Sequence, residues 1–190
     1  LSADGFTVVG LIKSETVGFV AISDSSSGGI ASSSVGFYGL SPSSASGGTF
    51  NPNNYAIKHA GGTLSVNPRP ITVNAVDKTK VYGEADPILT YTVAAKESGN
   101  GMGLYGSDSL TGSLVRAAGE TVLGGPYVIN QGTLTNANNP NYTITYKSAN
   151  LSITKADLYV SPTSGQTKEY GRDDPANYTY QIASGLVNGD

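Results

Sequence analysis

Large side chains recur at every second position in short runs along the chain. Tyr142, Ile144 and Tyr146 alternate with Thr143 and Thr145, and Leu89, Tyr91 and Val93 alternate with Thr90 and Thr92. Tyr178, Tyr180 and Ile182 follow the same rule, and residues 16–22, 71–75 and 158–160 read likewise. A period of two sends alternate side chains to opposite faces, so each run predicts a strand with one apolar face. Gly, Pro, Asn or Asp bounds every run, the punctuation of sandwiches, barrels and small sheets. No window of ten or more residues carries a capped helical stripe; residues 92–97 are the best short candidate. The prediction is an all-β (mainly β) protein.

The runs also repeat. Tyr55 and Ile57 stand 87 positions before Tyr142 and Ile144, and Leu64-Ser65-Val66 stands 87 before Leu151-Ser152-Ile153. Lys80-Val81-Tyr82-Gly83-Glu84-Ala85-Asp86-Pro87 matches Lys168-Glu169-Tyr170-Gly171-Arg172-Asp173-Asp174-Pro175 at a spacing of 88. Leu89-Thr90-Tyr91-Thr92-Val93 matches Tyr178-Thr179-Tyr180-Gln181-Ile182 at 89. Spacings that creep by single residues are what small loop insertions between copies of one module produce. The phase predicts that residues 1–67 form the later part of one module, 68–154 a whole module and 155–190 the opening of another. Each junction, Val66-Asn67-Pro68-Arg69-Pro70-Ile71 and Ile153-Thr154-Lys155-Ala156-Asp157-Leu158, leaves only a few residues between apolar positions, too few for free tumbling. Tandem small sheets on stiff junctions predict an elongated rod. A module divided in two cannot bury its apolar face alone, so neighbouring repeats, or edge strands of another copy, are the expected partners.

Composition narrows the chemistry. With no Cys in 190 residues there is no disulfide, thiol nucleophile or Cys-ligated metal. The one His, His59, excludes a two-His metal site within a chain and leaves a single place for a Ser-His-Asp triad. Net charge is −3, with no basic footprint for nucleic acid. No run approaches the ~18–20 apolar residues of a membrane span, so no membrane insertion by this segment is expected. The start lacks the basic and apolar regions of a signal peptide and reads as a fragment or a mature chain. A charged fraction of only 13%, with Ser, Thr, Asn and Gly on the exterior, points to an exported protein.

These motifs resemble a known module. Val81-Tyr82-Gly83-Glu84-Ala85-Asp86-Pro87, Leu89-Thr90-Tyr91, Gly124-Gly125-Pro126-Tyr127-Val128-Ile129, Asn141-Tyr142-Thr143-Ile144 and Leu151-Ser152-Ile153-Thr154-Lys155-Ala156 are similar to the MBG (mostly beta, glycine-rich; YDG-type) repeats of large bacterial surface and secreted adhesins. The resemblance implies a β-grasp-like small domain in tandem, extracellular at a bacterial cell surface or secreted, and no catalytic constellation to transfer. Residues 1–50 depart most, with Ser/Gly-rich stretches at 23–29 and 41–48.

Several residues invite sharper readings. Asp86 and Asp174 precede Pro, with Gly83 and Gly171 three residues earlier; this predicts an Asx-type turn, glycine at positive φ, and Tyr82 and Tyr170 packing from the strand end with hydroxyls on the turn backbone. Glu84, Asp86, Asp173 and Asp174 could be offered to calcium, but Glu84 aligns with Arg172, and one shared acid suits a turn better than a cage. His59 could serve as a base for Ser65 or Ser32, or stand exposed at the end of a strand over residues 55–58; its counterpart at the repeat spacing is Tyr146. Gly99-Asn100-Gly101-Met102-Gly103 lacks the Lys and following helix of a phosphate loop. Asn141, Asn150 and Asn177 begin glycosylation triplets, which arise by chance in a Tyr/Thr-rich chain. Tyr105, Tyr127 and Tyr159 either stack on a ligand or pack in the sheets. A Lys–Asn or Lys–Asp isopeptide crosslink is conceivable but needs a buried acid that the sequence does not place.

The expectation is therefore a non-catalytic stalk repeat of an adhesin or biofilm-matrix protein, with no catalytic, cofactor-binding or metal residues. The alternative is a module binding host or matrix glycan or protein through exposed Tyr and the loops at 41–48 and 107–112. An enzyme would need a paired-acid cleft, and no acid pair recurs in both copies.

Overall fold

The computed structural model describes residues 5–24, 27–93, 103–187 and 190. Secondary structure among them is all β, in several small sheets, apart from one 3-10 turn at Pro52–Asn54. No helix among the described residues is long and apolar enough to cross a membrane. The chain divides into two compact units, Leu1–Arg69 with Pro140–Thr143, and Pro70–Asn139 with Ile144–Asp190.

The first unit holds an antiparallel sheet of β1 (Val17–Asp24), β2 (Gly36–Gly48) and β3 (Gly62–Val66), in the order β1-β2-β3. The stretch at 41–48, expected as a loop, is instead the second half of β2, the central strand. Its Ser and Gly residues lack the bulk that marks a strand in sequence, but pairing to β1 satisfies one side of its backbone, while β3 pairs with Gly36–Leu40 alone. Residues 55–58, expected as a strand, are irregular in this unit, with Tyr55 packed against Phe50 at a ring separation of 6.1 Å.

In the second unit a four-stranded mixed sheet runs β5-β10-β8-β7, from β5 (Lys78–Val81), β10 (Ala149–Thr154), β8 (Tyr127–Asn130) and β7 (Val115–Arg116). The β5/β10 pair is parallel and the other two are antiparallel. A three-stranded sheet runs β6-β4-β9, from β4 (Arg69–Ala75), β6 (Tyr91–Val93) and β9 (Tyr142–Lys147). The chain passes from this sheet to the mixed one twice, β4 into β5 and β9 into β10, and the Asn150 N–H donates to Asp77 Oδ1 at 2.7 Å between the two crossings. Alternation places Ile71 and Val73 of β4, Tyr127 and Ile129 of β8, and Leu151 and Ile153 of β10 inward, all buried. The amide of buried Asn139 bonds the backbone of Thr111 and Thr135, so its polar atoms are satisfied. β11 (Tyr159–Pro162) and β12 (Tyr180–Ser184) form a separate antiparallel pair.

Strand registers recur at the spacings of the sequence repeat. Val73, Asn74 and Ala75 of β4 face Val93, Thr92 and Tyr91 of β6; Val160, Ser161 and Pro162 of β11 face Ile182, Gln181 and Tyr180 of β12. The next hydrogen bond follows suit, Val76 N to Thr90 O in one and Thr163 N to Thr179 O in the other. Similarly Leu151, Asn150 and Ala149 face Tyr127, Val128 and Ile129, while Leu64, Thr63 and Gly62 face Tyr38, Gly39 and Leu40.

Candidate functional site

Among the described residues, four charges cluster around the turn that follows β5. Lys80 occupies the inward position of β5, and its side chain is only 5% exposed. Gly83, at φ +88°, reverses the chain and brings Asp86 back over the strand end. Arg116 projects from β7, at the opposite edge of the same sheet, and Glu120 lies four residues on. Lys80 Nζ donates to Asp86 Oδ1 at 2.8 Å, Glu120 Oε2 at 2.5 Å and the Glu84 carbonyl at 3.1 Å. Arg116 grips Asp86 with Nε at 2.6 Å and Nη2 at 3.1 Å, and Nη2 also bonds Glu120. Its Nη1 donates to the carbonyls of Ala117 and Gly119. The guanidinium lies 5.6 Å from the centroid of the Tyr127 ring, adding a cation–π contact from below. Gly119 touches that ring so closely that a Cβ there would overlap it, and the Tyr127 hydroxyl donates to Thr121 O at 2.8 Å.

Two cations and two carboxylates balance, and the pairing holds all four in their charged forms. Arg116, then Lys80, keeps the Asp86 carboxyl below the ordinary aspartate value. Lys80, then Arg116, does the same for Glu120. Asp86, followed by Glu120, raises Lys80 above the usual lysine value. The arrangement is a network of salt bridges centred on Lys80 and Asp86. Its physical effect is to clamp both edges of the four-stranded sheet to one loop.

The cluster corrects the reading of Asp86. The carboxylate does not cap the turn; Glu84 does, accepting from the Val81 N–H at 3.2 Å, because two cations claim Asp86. Those same cations would repel calcium, and no group of three metal-ligating side chains occurs among the described residues. Tyr82 packs half-buried beside Ile153 and its neighbours, but its hydroxyl donates to Asp190 at 3.2 Å instead of the turn backbone. In the second copy Gly171 has φ +81° and Lys168 bonds Asp174, while Tyr170 is fully exposed. The pairing of Lys80 with Asp86 had a sequence signal, since a lysine six residues before the aspartate stands in both copies. Arg116 and Glu120 had none. Where β1 faces β2, Asp24 takes the place opposite Leu40 that Arg116 takes opposite Ile129, and it accepts from the Gly29 N–H at 2.5 Å.

The remaining candidates disperse. His59 is exposed in an irregular segment, and Ser65 bonds Asn67. Tyr127 is core, Tyr105 is half-buried and Tyr159 is exposed on β11. The Asn141 amide oxygen accepts from the Val35 N–H; Asn150 and Asn177 are exposed. Of residues 107–112, Thr111 is tied to Asn139. Residues 94–97 of the short helical candidate and 99–102 of the glycine-rich segment lie outside the described residues.

Comparison with known families fits the motif on which the cluster is built. Residues 71–152 match the family model described as MBG domain (YGX type). This stretch is an MBG domain. The match starts in β4, ends in β10 and so takes in the Tyr82-Gly83 turn and every member of the charge cluster. An MBG domain is consistent with an adhesin-type repeat. No curated protein and no solved structure matches the chain.

Proposed function

We propose that the chain is a non-catalytic spacer from the stalk of a bacterial adhesin or biofilm-matrix protein, exposed at the cell surface or secreted. The observation that carries this reading is the recurrence of strand registers at spacings of 87 to 89 residues, β4/β6 in β11/β12 and β8/β10 in β2/β3. A chain that writes one pairing scheme repeatedly gains length, and its stability becomes a sum of local and neighbour terms. The charge cluster serves that purpose, joining both edge strands of the MBG sheet to one loop so that the sheet opens as a unit. The short junctions transmit load from one module to the next.

Single-molecule pulling of the chain tests this. A spacer gives a resolved unfolding event for the MBG stretch, releasing on the order of 300 Å of contour from about 87 residues. Gradual extension at low force, without such an event, overturns it. A second reading, a glycan- or protein-binding module, draws on the exposed tyrosines Tyr159, Tyr178 and Tyr180. Saturable binding on a glycan array, lost in Tyr159→Ala or Tyr180→Ala, would replace the spacer by that reading.

A further inference from the structure

The turn built by Tyr82 and Gly83 sits where the chain leaves the MBG domain. β5 and β10 run parallel and end together, Val81 beside Thr154, and the Tyr82 N–H donates to the Thr154 carbonyl at 2.9 Å. From Thr154 the chain needs only four residues to enter β11 at Tyr159. β12 runs back antiparallel, so Ser184 returns beside Tyr159. Gly185, at φ +112°, then lies so close to the junction that a Cβ there would stand 2.3 Å from the Asp157 carbonyl oxygen. The β11/β12 pair, which repeats the β4/β6 register, thereby delivers the residues that follow it to the turn after β5.

Two contacts meet there. A Cβ on Gly83 would stand 2.7 Å from Val187 Cγ2 and 2.8 Å from Val187 Cβ, so the missing side chain is what lets the valine lie against the turn backbone. The Tyr82 hydroxyl donates to Asp190 Oδ1 at 3.2 Å, across 108 positions of sequence. Val187 is half-buried, and its carbonyl accepts from the Asp190 N–H at 3.2 Å. The turn that receives them is tied by bonds of its own. Lys80 holds the Glu84 carbonyl, Glu84 accepts from the Val81 N–H, and Lys80 and Arg116 fix Asp86. A surface ordered in advance docks a partner at a reduced entropic cost.

We propose that the Tyr82-Gly83 turn is a docking seat for the strand pair that follows the MBG domain. It takes an aliphatic side chain and a carboxylate three residues further on, here Val187 and Asp190. Gly83 then has two duties, the positive φ and the room for its neighbour. The MBG domain and the β11/β12 pair are joined at two points, the covalent junction and this seat, and the second removes the swivel that a single point leaves. The inference stands apart from the spacer reading, because the pulling event of the MBG stretch belongs to sheets that contain neither β11 nor β12 and survives a loss of docking.

Residual dipolar couplings of the backbone amides in the 190-residue chain are the direct test. Amides of β8 and β10 and amides of β11 and β12 should fit one alignment tensor. Val187→Asp puts a charge on the seat from a position outside every strand, so each sheet should stay folded while the couplings separate into two tensors. The chain lacks cysteine, which permits a trap on the same contact. Gly83→Cys with Val187→Cys should close a disulfide on mild oxidation, read by mass and by mobility without reductant. Gly171→Cys with Val187→Cys carries the same positive-φ strain in open space and should not close. The proposal is overturned if the parent chain already needs two tensors, or if the two cysteine pairs close equally. It is also overturned if Val187→Asp keeps one tensor, since the junction alone would then hold the parts together. Should the cysteine variants fail to fold, the couplings decide.

Discussion

In both Tyr-Gly-x-x-Asp-Pro segments the glycine takes a positive φ, +88° at Gly83 and +81° at Gly171, and a lysine six residues before the aspartate bonds it. Around the first, Tyr82 lies half-buried against the core, Lys80 is covered, and Arg116 and Glu120 close the cluster. Around the second, Tyr170 is fully exposed and the Lys168–Asp174 pair sits at the surface. Local chemistry is therefore the same, and only the strands that surround it differ. The turn is a property of six residues; its contribution to stability is a property of the sheet that packs on it.

This contrast is open to test by matched substitutions, read as urea-unfolding midpoints in dilute protein. The largest difference is expected in the cores: Ile71→Ala should cost about 2–5 kcal/mol, whereas Leu158→Ala, at the equivalent position, should stay within about 0.5 kcal/mol. Equal effects would mean that β11 is covered in solution. Next, Asp86→Ala leaves the largely buried Arg116 guanidinium short of its acceptor and should cost roughly 1–3 kcal/mol. Asp174→Ala removes an exposed pair and should cost about 0–1 kcal/mol.

Acid should reveal the same asymmetry. Asp86 and Glu120 are held below their ordinary values of 3.8 and 4.5, so their stabilisation is complete above that range and is lost as pH falls through the lowered values. The MBG domain should accordingly lose stability on acidification, and Asp86→Asn should flatten the slope; an unchanged slope would remove the cluster from the account. The smallest difference concerns the glycines. Gly83→Ala and Gly171→Ala should each cost about 1–2 kcal/mol for the positive φ. Gly83→Ala should cost somewhat more, because its new Cβ would meet Val187 while Gly171 faces open space.

Legibility followed bulk. Runs such as Tyr142-Thr143-Ile144-Thr145-Tyr146 announced β9 because alternation of large and small residues survives in any context. The second half of β2 was not legible, because Ser and Gly carry no facial preference and its strand state comes from β1, a neighbour that the sequence does not name. Residues 55–58 erred in the opposite direction. Their alternation is that of β9, but a strand needs a partner edge, and within the described residues none is provided.

The candidate site divides the same way. Tyr-Gly-x-x-Asp-Pro was enough to locate the turn and its positive-φ glycine, since those depend on backbone sterics within a few residues. That Asp86 would also answer Arg116 depended on β7 lying across the sheet from β5, a non-local arrangement with no trace in the motif. By itself the sequence determined the repeat, the all-β character and the shape of the turn, because these arise from side-chain alternation and local sterics. Tertiary structure alone decided that the first copy of that turn is buried in a charge cluster, because burial is conferred by strands far away along the chain.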